Sequence, residues 1–170
     1  MENTTNELIL PFRFRIIQEG IYSGAYPTLR NYRYLKRLKL KTIISLTPEE
    51  PISDLKEFCK CEKIALQHYK ANNYEETISI DLIKINQIIQ QCININNHPI
   101  YIHCLNGSNV THQIIMSLRK LQYWSYDSIE NEFQRYCEEF SKDEKEFLHD
   151  WKGEIRIENQ KLLPKWLSNE

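Results

Sequence analysis

The chain has 170 residues, of which 41% are hydrophobic and 26% are charged. A chain of this length can bury roughly 70% of the surface that it exposes when unfolded, so we expect one compact domain. The composition is that of a globular protein and excludes a disordered or fibrous one. A formal net charge of -1 and a pI near 6.5 exclude attraction of the whole surface to nucleic acid or to anionic membranes.

The sequence predicts a cytoplasmic protein without metal or cofactor. No segment approaches the roughly 20 apolar residues that span a bilayer, and residues 1–8 lack the apolar region of a signal peptide. The five cysteines are an odd number at irregular positions, which fits thiols in a reducing compartment better than a disulfide framework. Cys59 and Cys61 are too closely spaced for a zinc site and lack partner ligands downstream.

The first half of the chain alternates strands and helices. Short β-branched runs between helical segments are typical of buried parallel strands, and apolar residues at three-residue spacing indicate helices that pack on a core. The predicted elements are an edge hairpin at 16–22, a helix capped by Thr28, a buried strand at 42–46, a helix at 53–61, a strand at 65–69, an irregular polar loop at 70–77 and an apolar helix capped by Ser79.

The second half begins with a strand at 100–102 and is otherwise helical, with helices predicted after the loop 103–111 and at 125–140 and 141–151. We expect an α/β fold with a central, mainly parallel sheet of about four to five strands flanked by helices. The predicted organisation is a flexible tail at 1–10, a domain at 11–152 and an extension at 153–170 that packs on the domain or trails from it.

The loop after the predicted strand at 100–102 is the candidate site. A loop that joins a strand to a helix directs backbone N–H groups at one point, where the helix N-terminus favours an anion. Cys104 stands at the start of this loop, in a setting that favours a thiolate able to attack phosphorus. The remaining phosphate-loop candidates are Leu105, Asn106, Gly107, Ser108 and Asn109.

His103, Cys104, Gly107 and Thr111 match four positions of the signature His-Cys-x-x-Gly-x-x-Arg-Thr. Over roughly residues 11–151 the chain resembles the plant-and-fungal atypical dual-specificity phosphatases, which include the fungal oxidant-induced cell-cycle arrest (OCA) proteins. The resemblance implies a cysteine-dependent phosphatase fold, with Cys104 as the nucleophile that forms a phosphocysteine and Thr111 stabilising the departing thiolate. Supporting segments are Gly20-Ile21-Tyr22, Tyr26-Pro27, 38–49 and 118–122.

The sequence departs from this family pattern where catalysis needs charge. Val110 stands where the resemblance implies the catalytic arginine, and Ser108 stands where related loops often carry lysine. An arginine of this kind contributes on the order of 10³ to 10⁵ in phosphoryl-transfer rate. In the segment that resembles the family's acid loop, Glu75 and Glu76 are the weak candidates for a general acid, and no aspartate is present.

These departures predict a pseudophosphatase that acts as a binding or complex subunit. Its expected partners are related phosphatase-like proteins in a hetero-complex and a phosphorylated ligand, and neither nucleic acid nor a membrane is expected. The alternative is an active cysteine-dependent phosphatase toward phosphotyrosine or inositol pyrophosphate. A third hypothesis is a redox-responsive thiol protein, because a thiolate at a helix start stays oxidisable. His103 fits a buried structural histidine as well as a catalytic one.

Overall fold

The computed structural model describes residues 7–74, 77–137 and 140–168, with residues 73, 74 and 77–79 described by their backbone. The elements in chain order are β1 (Arg15–Gln18), β2 (Ile21–Ala25), α1 (Leu29–Arg37), β3 (Thr42–Ser45), α2 (Ser53–Glu62), β4 (Ala65–His68), β5 (Asn72–Tyr74), β6 (Thr77–Ser79), α3 (Leu82–Cys92), β7 (Ile100–Cys104), α4 (Asn109–Leu121), α5 (Tyr126–Gln134) and α6 (Lys142–Asp150), with short 3-10 turns at Ile95–Asn97 and Gln160–Leu162.

The central sheet has five strands in the order β1-β2-β7-β3-β4. β2, β7, β3 and β4 run parallel, whereas β1 is antiparallel to β2 and forms the edge hairpin that the sequence predicts. The predicted α/β fold is therefore confirmed. β7 lies in the middle, and all five of its residues are buried, because helices cover both faces of a parallel sheet.

Apolar side chains fill the space on each face of the sheet. The largest buried cluster joins residues of β7 and β3 to the inward sides of α3 and α4. A second cluster lies under α1 and α2 on the opposite face, and a third lies between α4, α5 and α6. The helices and strands thus hold the end of β7 rigidly at the carboxyl edge of the parallel strands, where α/β folds place their ligand sites.

The structure corrects three predicted elements. The segment 70–77 was expected to be an irregular loop, but β5 and β6 pair as an antiparallel hairpin in which Asn72 faces Ser79. Ser79 therefore ends a strand, and the following helix is capped by Asp81, whose Oδ1 accepts a hydrogen bond from Lys84 N at 2.9 Å. The predicted helix at 125–140 starts after its Ser125 cap as expected but ends at Gln134.

The C-terminal extension packs on the domain as far as it is described. Trp166 and Leu167 contact the largest core cluster. Gln90 Nε2 donates to the Arg156 carbonyl at 2.7 Å, and Trp166 Nε1 donates to the Glu19 carbonyl at 3.3 Å. Across the part of the chain that the structure describes, no helix has the length and apolar character needed to cross a membrane.

Candidate functional site

The loop after β7 lies at the carboxyl edge of the sheet and leads directly into α4. Gly107 takes a φ of +71°, and a Cβ at this position would lie 2.5 Å from Ala25 N and 2.6 Å from Gly24 C. A side chain here would collide with the backbone of β2, so the close approach of loop and strand requires glycine. Tyr26 N donates to the Leu105 carbonyl at 3.4 Å and joins the two segments further.

Cys104 lies at the floor of this loop, with 3% of the residue exposed. Thr111, fully buried in the first turn of α4, donates through Oγ1 to Cys104 Sγ at 3.0 Å. A hydroxyl that donates to sulfur stabilises the thiolate over the thiol. The structure thus places the Thr111 hydroxyl in contact with the Cys104 sulfur.

Asn106 folds its side chain back into the loop. Its Oδ1 accepts a hydrogen bond from Ser108 N at 2.9 Å and lies 3.5 Å from Cys104 Sγ, which donates to it. The amide oxygen therefore occupies the position to which the Ser108 N–H group points. An oxyanion bound over Cys104 through this N–H group would have to replace the Asn106 side chain.

Val110 is 2% exposed and belongs to the same apolar cluster as Cys104, Ile114 and Ile115. Its side chain packs in the core and offers no donor to an anion. The segment from Cys104 to Thr111 contains no lysine or arginine. The loop leads from a parallel strand to a helix N-terminus, as an anion site does, but its own side chains contribute no positive charge.

His103 precedes the cysteine and is fully buried in β7. Its ring lies 4.8 Å from the Tyr26 ring and 5.9 Å from the Tyr101 ring, measured between centroids. Neither ring nitrogen has a hydrogen-bond partner among the described residues, and burial lowers its pKa to about 3. This neutral, packed imidazole fits the structural interpretation rather than a catalytic one.

The outer side of the loop contacts His112 of α4 and Cys137, which follows α5. His112 Nδ1 lies 2.6 Å from the Ser108 carbonyl, and because a carbonyl only accepts, Nδ1 carries the proton. Burial, followed by the Arg15 charge, lowers the pKa of His112 to about 4. Ser108 Oγ lies 3.1 Å from Cys137 Sγ, which is itself 3.3 Å from His112 Nδ1.

The sequence patterns did not indicate Arg13 and Arg15, which lie beside the loop. Arg13 Nη1 donates to the Asn106 carbonyl at 3.1 Å. The Arg15 guanidinium lies over the Tyr136 ring, 3.9 Å from its centroid. Their place in the sequence could have indicated them, because the predicted hairpin begins immediately after these arginines. Its first strand starts at the edge of the sheet where the cysteine loop also begins. Glu75 and Glu76 lie outside the described residues.

Residues 8–170 match the tyrosine phosphatase family. The chain belongs to that family. In sequence it is 29% identical to "Putative tyrosine-protein phosphatase OCA6" of Saccharomyces cerevisiae over 95% of this chain and 80% of that protein. It is 35% identical to "Inositol diphosphatase SIW14" of the same yeast, over 77% of this chain and 47% of that protein. These relatives confirm the resemblance to the atypical dual-specificity phosphatases of OCA type.

Solved structures agree with the fold. The chain superposes on the core catalytic domain of the PP-IP phosphatase SIW14 from S. cerevisiae with a TM-score of 0.80 and 29% identity, over 87% of this chain and 90% of that domain. It therefore spans nearly the whole of that catalytic core but only about half of the full-length SIW14 protein. The loop around Cys104 thus belongs to a phosphatase fold.

Proposed function

We propose that this member of the tyrosine phosphatase family binds a phosphorylated group at the Cys104 loop and turns it over very slowly or not at all. The observation that carries the proposal is Val110, an apolar side chain packed in the core at the position where the family pattern places its catalytic arginine. A hetero-complex with related phosphatase-like proteins stays a prediction from the sequence.

The missing arginine accounts for the expected loss of rate. A guanidinium makes two parallel charge-assisted hydrogen bonds to phosphoryl oxygens, each worth about 1.5 to 3 kcal/mol. In phosphoryl transfer such a group contributes on the order of 10³ to 10⁵ in rate, because it stabilises charge that develops in the transition state. Valine supplies neither the charge nor the hydrogen bonds.

Features that do not depend on the arginine support binding. Gly107 keeps the loop against β2, and α4 begins at the loop without a side-chain cap on its N-terminus. Free N–H groups at a helix N-terminus attract an anion through their partial positive charge. The hydrogen bond from Thr111 to Cys104 holds the sulfur at the floor of the loop.

An active cysteine-dependent phosphatase is the second candidate. What favours it is the intact contact of Thr111 Oγ1 with Cys104 Sγ at 3.0 Å, together with relatives named as inositol diphosphatases. In that case the Cys104 thiolate would attack the phosphorus, the leaving oxygen would take a proton from solvent water, and a second water would release phosphate from the phosphocysteine and regenerate the thiolate.

The deciding experiment measures steady-state hydrolysis of an aryl phosphate and of an inositol pyrophosphate. Wild type, Cys104→Ser, Val110→Arg and Val110→Lys are compared, and the lysine variant controls for adding a charge without a bidentate donor. We expect wild type to match Cys104→Ser and Val110→Arg to gain cysteine-dependent turnover. Wild-type turnover that Cys104→Ser abolishes would establish the second candidate and refute the first.

A further inference from the structure

The segment that precedes β1 crosses the sheet edge at which the cysteine loop begins. Ala25 N donates to the Phe12 carbonyl at 2.8 Å, and Ala25 is the register partner of Cys104 across β2 and β7. This backbone hydrogen bond holds Phe12, and with it the neighbouring Arg13, beside the loop. The side chain of Arg13 starts only one strand away from the candidate nucleophile.

Arg13 is fixed at one end and free at the other. Its backbone adopts a φ of +54°, a left-handed conformation that is strained for a residue with a Cβ. Nη1 donates to the Asn106 carbonyl at 3.1 Å, and the guanidinium lies 5.0 Å from the centroid of the Phe12 ring. The residue is exposed, and within the described part of the chain its other N–H groups have no protein acceptor.

Arg15 adds positive charge to the same side of the loop. Its Nε and Nη2 are shielded from solvent and have no hydrogen-bond partner among the described residues. The charges of both arginines lower the pKa of His112, although burial is the larger cause. They also oppose the rise that burial imposes on the pKa of Cys137. His112 and Cys137 both contact Ser108, so the positive potential of the arginines extends to this part of the loop.

We propose that Arg13 is the anion-binding arginine of this site, supplied by the segment before β1 in place of the one missing from position 110. Its free N–H groups bind an oxygen of a phosphoryl group seated on the loop, and Arg15 strengthens the local positive potential. This inference rests on the proposed binding of a phosphorylated group. It assigns the binding to a residue outside the Cys104–Thr111 segment.

The simplest rival is that Arg13 only holds the loop in shape through the Asn106 carbonyl. Arg13→Gln separates the two roles, because the glutamine amide still has N–H groups to donate but carries no charge. Arg13→Lys keeps the charge. Arg37→Gln is the matched control, since Arg37 is an exposed arginine in the last turn of α1, at the opposite edge of the sheet.

The experiment titrates each variant with inorganic phosphate by isothermal calorimetry, after thermal unfolding has shown that the variant folds. Charge-assisted hydrogen bonds of about 1.5 to 3 kcal/mol correspond to roughly tenfold or more in affinity. We expect Arg13→Gln to weaken phosphate binding at least about tenfold, and Arg13→Lys and Arg37→Gln to stay within about threefold of wild type. Adding Val110→Arg to Arg13→Gln should raise phosphate affinity again because the new guanidinium binds the anion itself, whereas the contrast between Arg13→Gln and Arg13→Lys tests the charge of Arg13.

Each result separates the proposals. Phosphate affinity that is equal in Arg13→Gln and wild type would overturn the assignment of Arg13 and leave the proposed function standing. Wild type that binds no phosphate would overturn both proposals. If the Val110→Arg variants do not fold, the contrast between Arg13→Gln and Arg13→Lys decides, because a lysine that binds no better than glutamine contradicts a role of the charge.

Discussion

Two buried histidines beside the loop should make folding sensitive to acid. Burial lowers the pKa of His103 to about 3, and burial with the Arg15 charge lowers the pKa of His112 to about 4, from an ordinary 6.5. Below pH 6.5 the unfolded chain therefore binds protons that the folded chain does not. As the pH decreases from 6.5 to these lowered pKa values, the free energy of unfolding decreases. Above pH 6.5 the two histidines are neutral in both states and do not change it.

The magnitude follows from the size of the shifts. A histidine that is neutral when folded and protonated when unfolded changes the free energy of unfolding by about 1.4 kcal/mol per pH unit. At pH 5, roughly 1.5 units below the ordinary pKa of histidine, His103 and His112 each lower the free energy of unfolding by about 2 kcal/mol relative to pH 7. Their sum of about 4 kcal/mol is a large part of the 5–15 kcal/mol that typically stabilises a domain.

His103→Leu tests this reasoning, because the imidazole nitrogens have no described partner to lose and leucine does not titrate. Urea unfolding followed by tryptophan fluorescence from pH 7 to 5 should show the variant losing about 2 kcal/mol less than wild type. His149→Leu is the control, since 80% of the His149 side chain is exposed. Parallel pH profiles for wild type and His103→Leu would refute the argument.

Three further changes probe the loop itself. Gly107→Ala should lower the free energy of unfolding in urea by at least about 1 kcal/mol, because alanine is strained at a φ of +71° and its Cβ would meet the backbone of β2. Unchanged stability would contradict the close approach of loop and strand. Thr111→Val removes the donor to Cys104 Sγ and should slow alkylation of Cys104 by iodoacetamide roughly tenfold, whereas an unchanged rate would show that the hydroxyl does not activate the sulfur. Asn106→Ala frees the Ser108 N–H group and should tighten inorganic phosphate binding about threefold to tenfold in calorimetry, and weaker binding would mean that the amide does not compete with the anion.

The parts of the fold that the sequence predicted are those with repeated apolar patterns. Residues 42–46 and 100–102 are short β-branched runs, and each forms a buried strand because helices cover both faces of the sheet. The position of Cys104 between a strand and a helix could be predicted for the same reason. Local periodicity and the order of elements were sufficient to place the loop at the edge of the sheet.

The rest depended on tertiary contacts. Among the described strands, β5 and β6 pair with each other and with no strand of the central sheet, and their polar composition gives no alternating pattern to detect. The return of the Asn106 side chain to Ser108 N is a local hydrogen bond that the sequence permits but does not require. Arg13 reaches the Asn106 carbonyl across 93 positions of the chain, so no local pattern could connect the two.

The shape of the loop and its chemistry are separable in this protein. Gly107, the Thr111–Cys104 contact and the Asn106–Ser108 hydrogen bond hold the loop from within, and Val110 adds apolar packing beneath it. None of these contacts uses a guanidinium, so the loss of the loop arginine removes charge without removing the contacts that fold the site. A loop stabilised in this way can keep an anion-binding geometry without catalysis, which is why phosphate affinity and phosphate turnover must be measured separately on the same variants.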